Sequence, residues 1–238
     1  MYFLFSGEGE TDLGECAGNV ETCEGNDYRH GPMAVIVDQM VDARDHYSLL
    51  DTGHCGFVSR GTLVDRASEL KAARKAIRLP GKKRSKETRY FFNNARALAR
   101  IAGEREGQLN DNVVAVLFRD ADTSTAGRGS WPEKRQSMLD GFAEEGFARG
   151  VPMIPKPTSE AWLLCALQEH SYQGCAALEQ RSSSPHSPHS LKGDVEKCLG
   201  HRPTREELCD MVTNGKIDHH RIDMPSLRAF RERLEAVL

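Results

Sequence analysis

Two kinds of hydrophobic pattern alternate along the chain. Residues 1–6 (MYFLFS) and 113–118 (VVAVLF) are short, nearly uninterrupted apolar runs. Runs of that length suit strands covered on both faces. Shorter runs at 53–59 (GHCGFVS) and 151–154 (VPMI) predict further strands. Between them, apolar residues recur at helical spacing. Met33, Ile36, Val37, Met40 and Val41 predict a helix over 32–50. Leu63, Ala67, Leu70, Arg74 and Ile77 predict one over 63–78, and Phe91, Ala95, Leu98 and Ile101 one over 87–102. Helices are also expected over 132–146, 159–168 and 225–238, the last with Leu227, Phe230, Leu234 and Val237 facing inward. Thr204-x-x-Glu207 reads as a capping box opening another. Residues 7–31 read as a turn and a polar loop, 80–85 (PGKKRS) as a break, and 181–190 (RSSSPHSPHS) as a low-complexity, mobile stretch. There is no internal repeat. Alternating strands and helices predict an α/β fold with parallel strands.

A length of 238 residues permits one such domain with a substantial core, or one plus a small appendage. No apolar run approaches the roughly 18 residues needed to span a bilayer. The apolar start is too short for a signal peptide and has no basic flank. Seven cysteines, an odd number without a secretory signal, predict free thiols in a cytoplasmic protein. Cys16, Cys23 and His30 share an acidic loop and Cys55 follows His54, but no C-x₂₋₄-C pair supports a zinc site. His186, His189, His219 and His220 lie in polar segments and read as surface histidines.

The net charge of -3 conceals an asymmetry. Residues 1–59 carry eleven acids and two bases, whereas residues 60–105 carry fourteen bases and four acids. A basic block in an acidic chain is either a footprint for a polyanion or a pair of helices with solvated basic faces. Lys82, Lys83, Arg84 and Lys86 are its densest part and the candidate nucleic-acid contacts. Tyr90, Phe91 and Phe92 follow; they could stack on bases, although core packing is the simpler use.

Candidate chemistry concentrates in GEGETD (7–12) and RDADTS (119–124), each directly after an apolar strand. Ligands in parallel α/β sheets bind beyond the carboxyl ends of strands. Asp120 and Asp122, two apart where a strand ends, can face the same way, and Glu8 at a neighbouring strand end completes an all-oxygen cluster. Such donors suit Mg²⁺ or Mn²⁺. Asp12 is either a second metal ligand or an acid in a turn. Glu160 is either a ligand or a dipole-stabilising acid in the first turn of a helix. Lys156 is either a phosphate contact or an ordinary surface lysine. No G-x-S-x-G occurs, and GEGETDLG lacks the Gly-Lys-Ser/Thr of a Walker loop.

FLFSGEGETD followed by VLFRDADTS resembles the Toprim domain, whose pattern is Glu-Gly after the first strand and Asp-x-Asp after a later one. Glu8-Gly9 and Asp120-Ala121-Asp122 match it. The nearest likeness is to small bacterial Toprim-related proteins with an EGxTD start and a late K-x-x-x-E-A-W-L-L segment, here Glu8 to Asp12 and Lys156 to Leu164. It is similar, too, to the Toprim domain of the overcoming-lysogenization-defect nucleases. The resemblance implies a Rossmann-like, mostly parallel sheet with helices on both faces over 1–170. A basic helical insertion at about 60–105 and a linker with helical extension over 171–238 would be added to it. It further implies a Mg²⁺- or Mn²⁺-dependent nuclease or related phosphodiester-processing enzyme, in a setting of phage defence or DNA repair. Glu8 would be acid/base or ligand, and Asp120 and Asp122 would hold metal. The partners would be nucleic acid and, by extension, a protein such as an ATPase subunit. A phosphohydrolase of small nucleotides and a non-catalytic binding module stay open beside this reading.

Overall fold

The computed structural model describes residues 1–18, 20–76, 86–122, 129–184, 187 and 189–238, without the side chains of 73–76, 86 and 87. Its main sheet is built from β1 (Tyr2–Gly7), β3 (Thr22–Glu24), β5 (Cys55–Val58), β6 (Val113–Phe118) and β7 (Gly150–Met153), in the order β3-β5-β1-β6-β7. β5, β1, β6 and β7 run parallel, and β3 closes one edge antiparallel to β5. The two apolar runs are thus central neighbours, paired from Tyr2↔Val113 to Gly7↔Phe118.

Both faces of these strands are covered, as their uninterrupted apolar character requires. Phe3, Phe5, Val114, Val116 and Phe118 enter one core, with α1 (Pro32–Asp45), α6 (Ser159–Leu167) and the C-terminal helices. Tyr2, Leu4, Val113, Ala115 and Leu117 enter the other, with α3 (Arg60–Ala76), α4 (Lys86–Leu109) and α5 (Trp131–Glu144). From β1 the chain crosses on the first face to β5. From β5 it returns along the second face, passes over β1 and enters the sheet again at β6. Connections therefore leave β1 and β6 in opposite directions, which opens a crevice at their carboxyl ends.

The 32–50 helix is divided: α1 ends with His46 in the left-handed region, and α2 (Leu49–Thr52) starts with Ser48 capping Asp51 N–H. The loop over 7–31 contains an unforeseen hairpin, β2 (Gly14–Cys16) with β4 (Tyr28–His30), and the edge strand β3. α7 (Leu191–Leu199) was also unforeseen. α8 (Arg205–Thr213) opens with the expected Thr204–Glu207 capping box. α9 (Pro225–Glu235) docks on the sheet, where Arg233 Nε donates to Gly150 O at 2.9 Å and Trp162 Nε1 to Ser226 Oγ at 2.8 Å. The segment read as mobile, 181–190, lies partly outside the described residues.

Two cysteine and histidine expectations are corrected. Cys16–Cys23 and Cys165–Cys175 are disulfides, because the β2–β3 connection and the turn after α6 fold each pair together. Cysteine usage therefore no longer argues for a reducing compartment, and Cys16 and Cys23 are not thiolate ligands for zinc. Cys55, Cys198 and Cys209 are free. His219 is buried at 2% exposure rather than on the surface, because it lies where the chain turns into α9. No helix among the described residues is long and apolar enough to cross a membrane.

Candidate active site

The crevice between β1 and β6 gathers the acids from both motifs. Gly7 permits the approach: a Cβ there would stand 2.4 Å from Phe118 O and 2.9 Å from Phe118 Cβ. The next residues along the paired strands are Glu8 and Arg119, and Arg119 Nη1 lies 3.1 Å from Glu8 Oε2. The guanidinium also stacks on Tyr90 of α4, 3.9 Å from the ring centroid. Phe91 and Phe92 are buried, so they serve the core, as the simpler reading had it.

Asp12 reaches the site through a tight turn. Gly9, at φ 90°, accepts the N–H groups of Asp12 and Leu13 at 3.0 and 3.1 Å. A side chain at Gly9 would collide with Asp12 Oδ2. Glu10 lies on the outside of this turn, exposed.

After β6 the chain continues alongside the β7–α6 connection. Arg119, Ala121 and Asp122 donate N–H to the carbonyls of Met153, Pro155 and Pro157 at 3.0, 3.0 and 3.1 Å. Ala121 is buried, and Asp120 and Asp122 flank it. The amine of Lys134, a buried residue of α5, donates to Ala121 O and, at 3.4 Å, to Asp122 O. That anchors a turn in which Asp122 takes a left-handed φ of 42°.

Ser159, first residue of α6, joins the two motifs. Its N–H donates to Asp120 Oδ1 at 2.9 Å and its hydroxyl donates to Asp12 Oδ1. Asp120 thus also sits at the positive end of a helix. Glu160, the next residue, adds its charge to both aspartates.

The electrostatics follow from this crowding. Burial, then repulsion from Asp12, Glu160 and Asp122, pushes the Asp120 carboxyl well above the usual range despite the Ser159 bond. Burial pushes Asp12 up to about 6, with Glu160 adding and Ser159 opposing. Glu8 is raised by burial, restrained by Arg119, raised again by Asp122 and eased by Arg60. Asp122 therefore acts on both Glu8 and Asp120 and links two halves of one acidic site.

The sequence-predicted residues divide accordingly. Glu8 and Asp122 interact at one end, and Asp12, Asp120 and Glu160 at the other. Lys156 is half-buried in the β7–α6 connection, immediately before Pro157. Lys82, Lys83 and Arg84 lie outside the described residues; Lys86 opens α4, its side chain likewise outside. Sequence reasoning missed Ser159, Lys134 and Arg119. Ser159 had one signal, its position inside the Lys156–Leu164 segment that resembles the Toprim-related proteins, directly before Glu160. A cleft of about 660 Å³ adjoins Glu8, walled by Glu10, Glu15, Glu21, Ser59 and Arg60.

Among the described residues, no three His, Cys, Asp or Glu side chains stand close enough, as placed, to hold a metal ion. The donor set is nevertheless all-oxygen, and the carboxyls of Glu8, Asp12 and Asp120 are raised by burial and then by neighbouring acids, which is the chemistry a hard divalent cation relieves. In comparisons with known proteins, the chain matches no protein-family model, no curated protein and no solved structure.

Proposed function

We propose that this chain is a divalent-metal-dependent enzyme acting on phosphodiester bonds of nucleic acid, with a Toprim-like active site. The observation that carries the reading is that acids of both motifs lie at the crevice where β1 and β6 end, Glu8 with Asp122 at one end and Asp12, Asp120 and Glu160 at the other. In a doubly wound sheet that crevice is the expected ligand position.

Asp120, Asp122 and Asp12 would hold Mg²⁺ or Mn²⁺, with Glu160 beside them. Bound there, the cation would polarise a phosphoryl oxygen and lower the pKa of a coordinated water. Ser159 orients Asp12 and Asp120 and keeps one oxygen of each engaged. Glu8, balanced by Arg119, is the group available to accept or return a proton. Lys156 supplies positive charge on the β7 side for the phosphodiester.

The test is cleavage of single- and double-stranded DNA and RNA with Mg²⁺ or Mn²⁺. The wild-type protein should cut at least one of them, and Glu8→Gln, Asp120→Asn and Asp122→Asn should each abolish cutting while remaining folded. Hydrolysis of free nucleotides but of no polymer would redirect the reading to a small-nucleotide phosphohydrolase. No reaction, together with no Mg²⁺ or Mn²⁺ response by calorimetry, would leave a binding module.

A further inference from the structure

Arg119 opens the RDADTS stretch without being one of its acids, yet it makes the closest charged contact with Glu8. It is fixed on three sides. Its N–H donates to Met153 O at 3.0 Å, which ties its backbone to β7. Its guanidinium stands 3.9 Å from the Tyr90 centroid and 5.2 Å from that of Phe91. Its Nη1 is 3.1 Å from Glu8 Oε2, with both side chains about one-fifth exposed. Stacking fixes the guanidinium plane, so the direction it offers to a carboxylate is set before any ligand arrives.

Glu8 needs such a hold. It follows a glycine and precedes the Gly9 turn, and it borders an open cleft. Among the described residues, Arg119 alone is in ion-pair contact with its carboxylate. Asp122, at the same end of the crevice, repels it. A carboxylate free to turn would move toward solvent in the cleft, away from the aspartates.

We propose that Arg119 is a positioning residue, which holds the Glu8 carboxylate facing the Asp-x-Asp pair with its own plane set by Tyr90. This rests on the phosphodiesterase reading above. A misplaced catalytic group costs rate without weakening substrate binding, so Arg119→Gln should lower kcat about tenfold to a hundredfold. KM should change by less than about threefold. Arg119→Lys keeps the charge without the plane, and should recover part of the lost kcat. Tyr90→Ala frees the plane and keeps the charge, and should lower kcat in the same sense.

The experiment is steady-state cleavage by these variants beside Glu8→Gln and Asp120→Asn, on the nucleic acid that the wild-type protein cuts, with melting temperatures to establish folding. Activity that survives Glu8→Gln and Asp120→Asn, or a wild type that cuts nothing, overturns the site and this inference with it. Loss in those two variants with wild-type kcat in Arg119→Gln overturns the inference alone. So does a rise confined to KM, which would make Arg119 a substrate contact. Should Arg119→Gln fail to fold, Arg119→Lys and Tyr90→Ala decide: wild-type kcat in both refutes the positioning role.

Discussion

Replacing Asp12 by Asn separates charge from shape at the centre of the site. Asp12 Oδ1 accepts the Ser159 hydroxyl, and its Oδ2 lies 3.4 Å from Thr11 Oγ1. An asparagine oxygen can accept from Ser159 as before, and its amide can donate to Thr11. What disappears is the ionised form, which burial and Glu160 disfavour enough to push the carboxyl up to about 6 from its ordinary 3.8. A group easier to protonate when folded makes the folded state bind more protons between about pH 4 and pH 6. Its stability is therefore greatest below about pH 4 and declines as pH rises through about 6. The decline is a little over two pH units at about 1.36 kcal/mol each, or about 3 kcal/mol. Solvent at the partly exposed side chain reduces this, so about 1–3 kcal/mol is expected. In chelator at pH 8, Asp12→Asn should be more stable by that amount. For a chain of this size that is a melting temperature higher by about 2–10 °C. At pH 4 the two proteins should melt together. Millimolar Mg²⁺ should then narrow the gap at pH 8, because the cation stabilises the wild type more. Thermal unfolding followed by circular dichroism measures each quantity. The reasoning fails if the variant is no more stable than wild type at pH 8, or if the gap is the same at pH 4.

His219 gives a pH effect of the opposite sign. Burial, then His220 and Arg231, pushes its pKa down to about 4, and its Nδ1 has no hydrogen-bond partner among the described residues. The unfolded chain takes the proton first, so stability present above about pH 6.5 is lost as pH falls toward 4, by up to about 3 kcal/mol. His219→Phe should flatten that acid limb in the same unfolding assay, and an unchanged limb would exclude His219 as its source. Gly7→Ala should lower the melting temperature by several degrees, since its Cβ would meet Phe118 backbone rather than a flexible side chain, at a cost of about 1–3 kcal/mol. A variant that melts with wild type would mean the strand ends can part freely.

What was legible in the sequence was whatever one strand or helix decides alone. The runs at β1 and β6 were plain because both faces of each strand are buried, and the acids just beyond them followed from where parallel strands end. What escaped depends on contacts between distant segments. Lys134 is a charged residue on a helix and signals nothing until α5 packs beneath the Asp120–Asp122 turn. Ser159 reads as a helix opener, and only the crevice brings Asp12 and Asp120 to it from 147 and 39 residues away. The β2–β4 hairpin has strands of three residues, too short for alternation to show in an acidic, glycine-rich stretch. α7 follows a Ser/His/Pro segment and carries Gly193 in its first turn, which weakens its helical signal.

The partners of the carboxylates differ in a way that bears on where a cation would matter most. Glu8 is paired with a guanidinium, so its charge is already compensated within the protein. Asp12 and Asp120 are held by the hydroxyl and amide of Ser159, which are neutral, and they repel each other and Glu160, with the Lys192 charge easing Asp12 less than Glu160 raises it. Hydrogen bonds from neutral donors ease a buried carboxylate but do not cancel its charge. A divalent cation therefore gains more at the Asp12–Asp120–Glu160 end than beside Glu8. There it would replace repulsion by attraction rather than compete with Arg119. Asp122, acting on both ends, ties that charge to the glutamate. An acid/base group kept balanced without metal, beside aspartates that are not, is a division of roles consistent with the proposed chemistry, and it follows from the identity of the donors rather than from the count of acids.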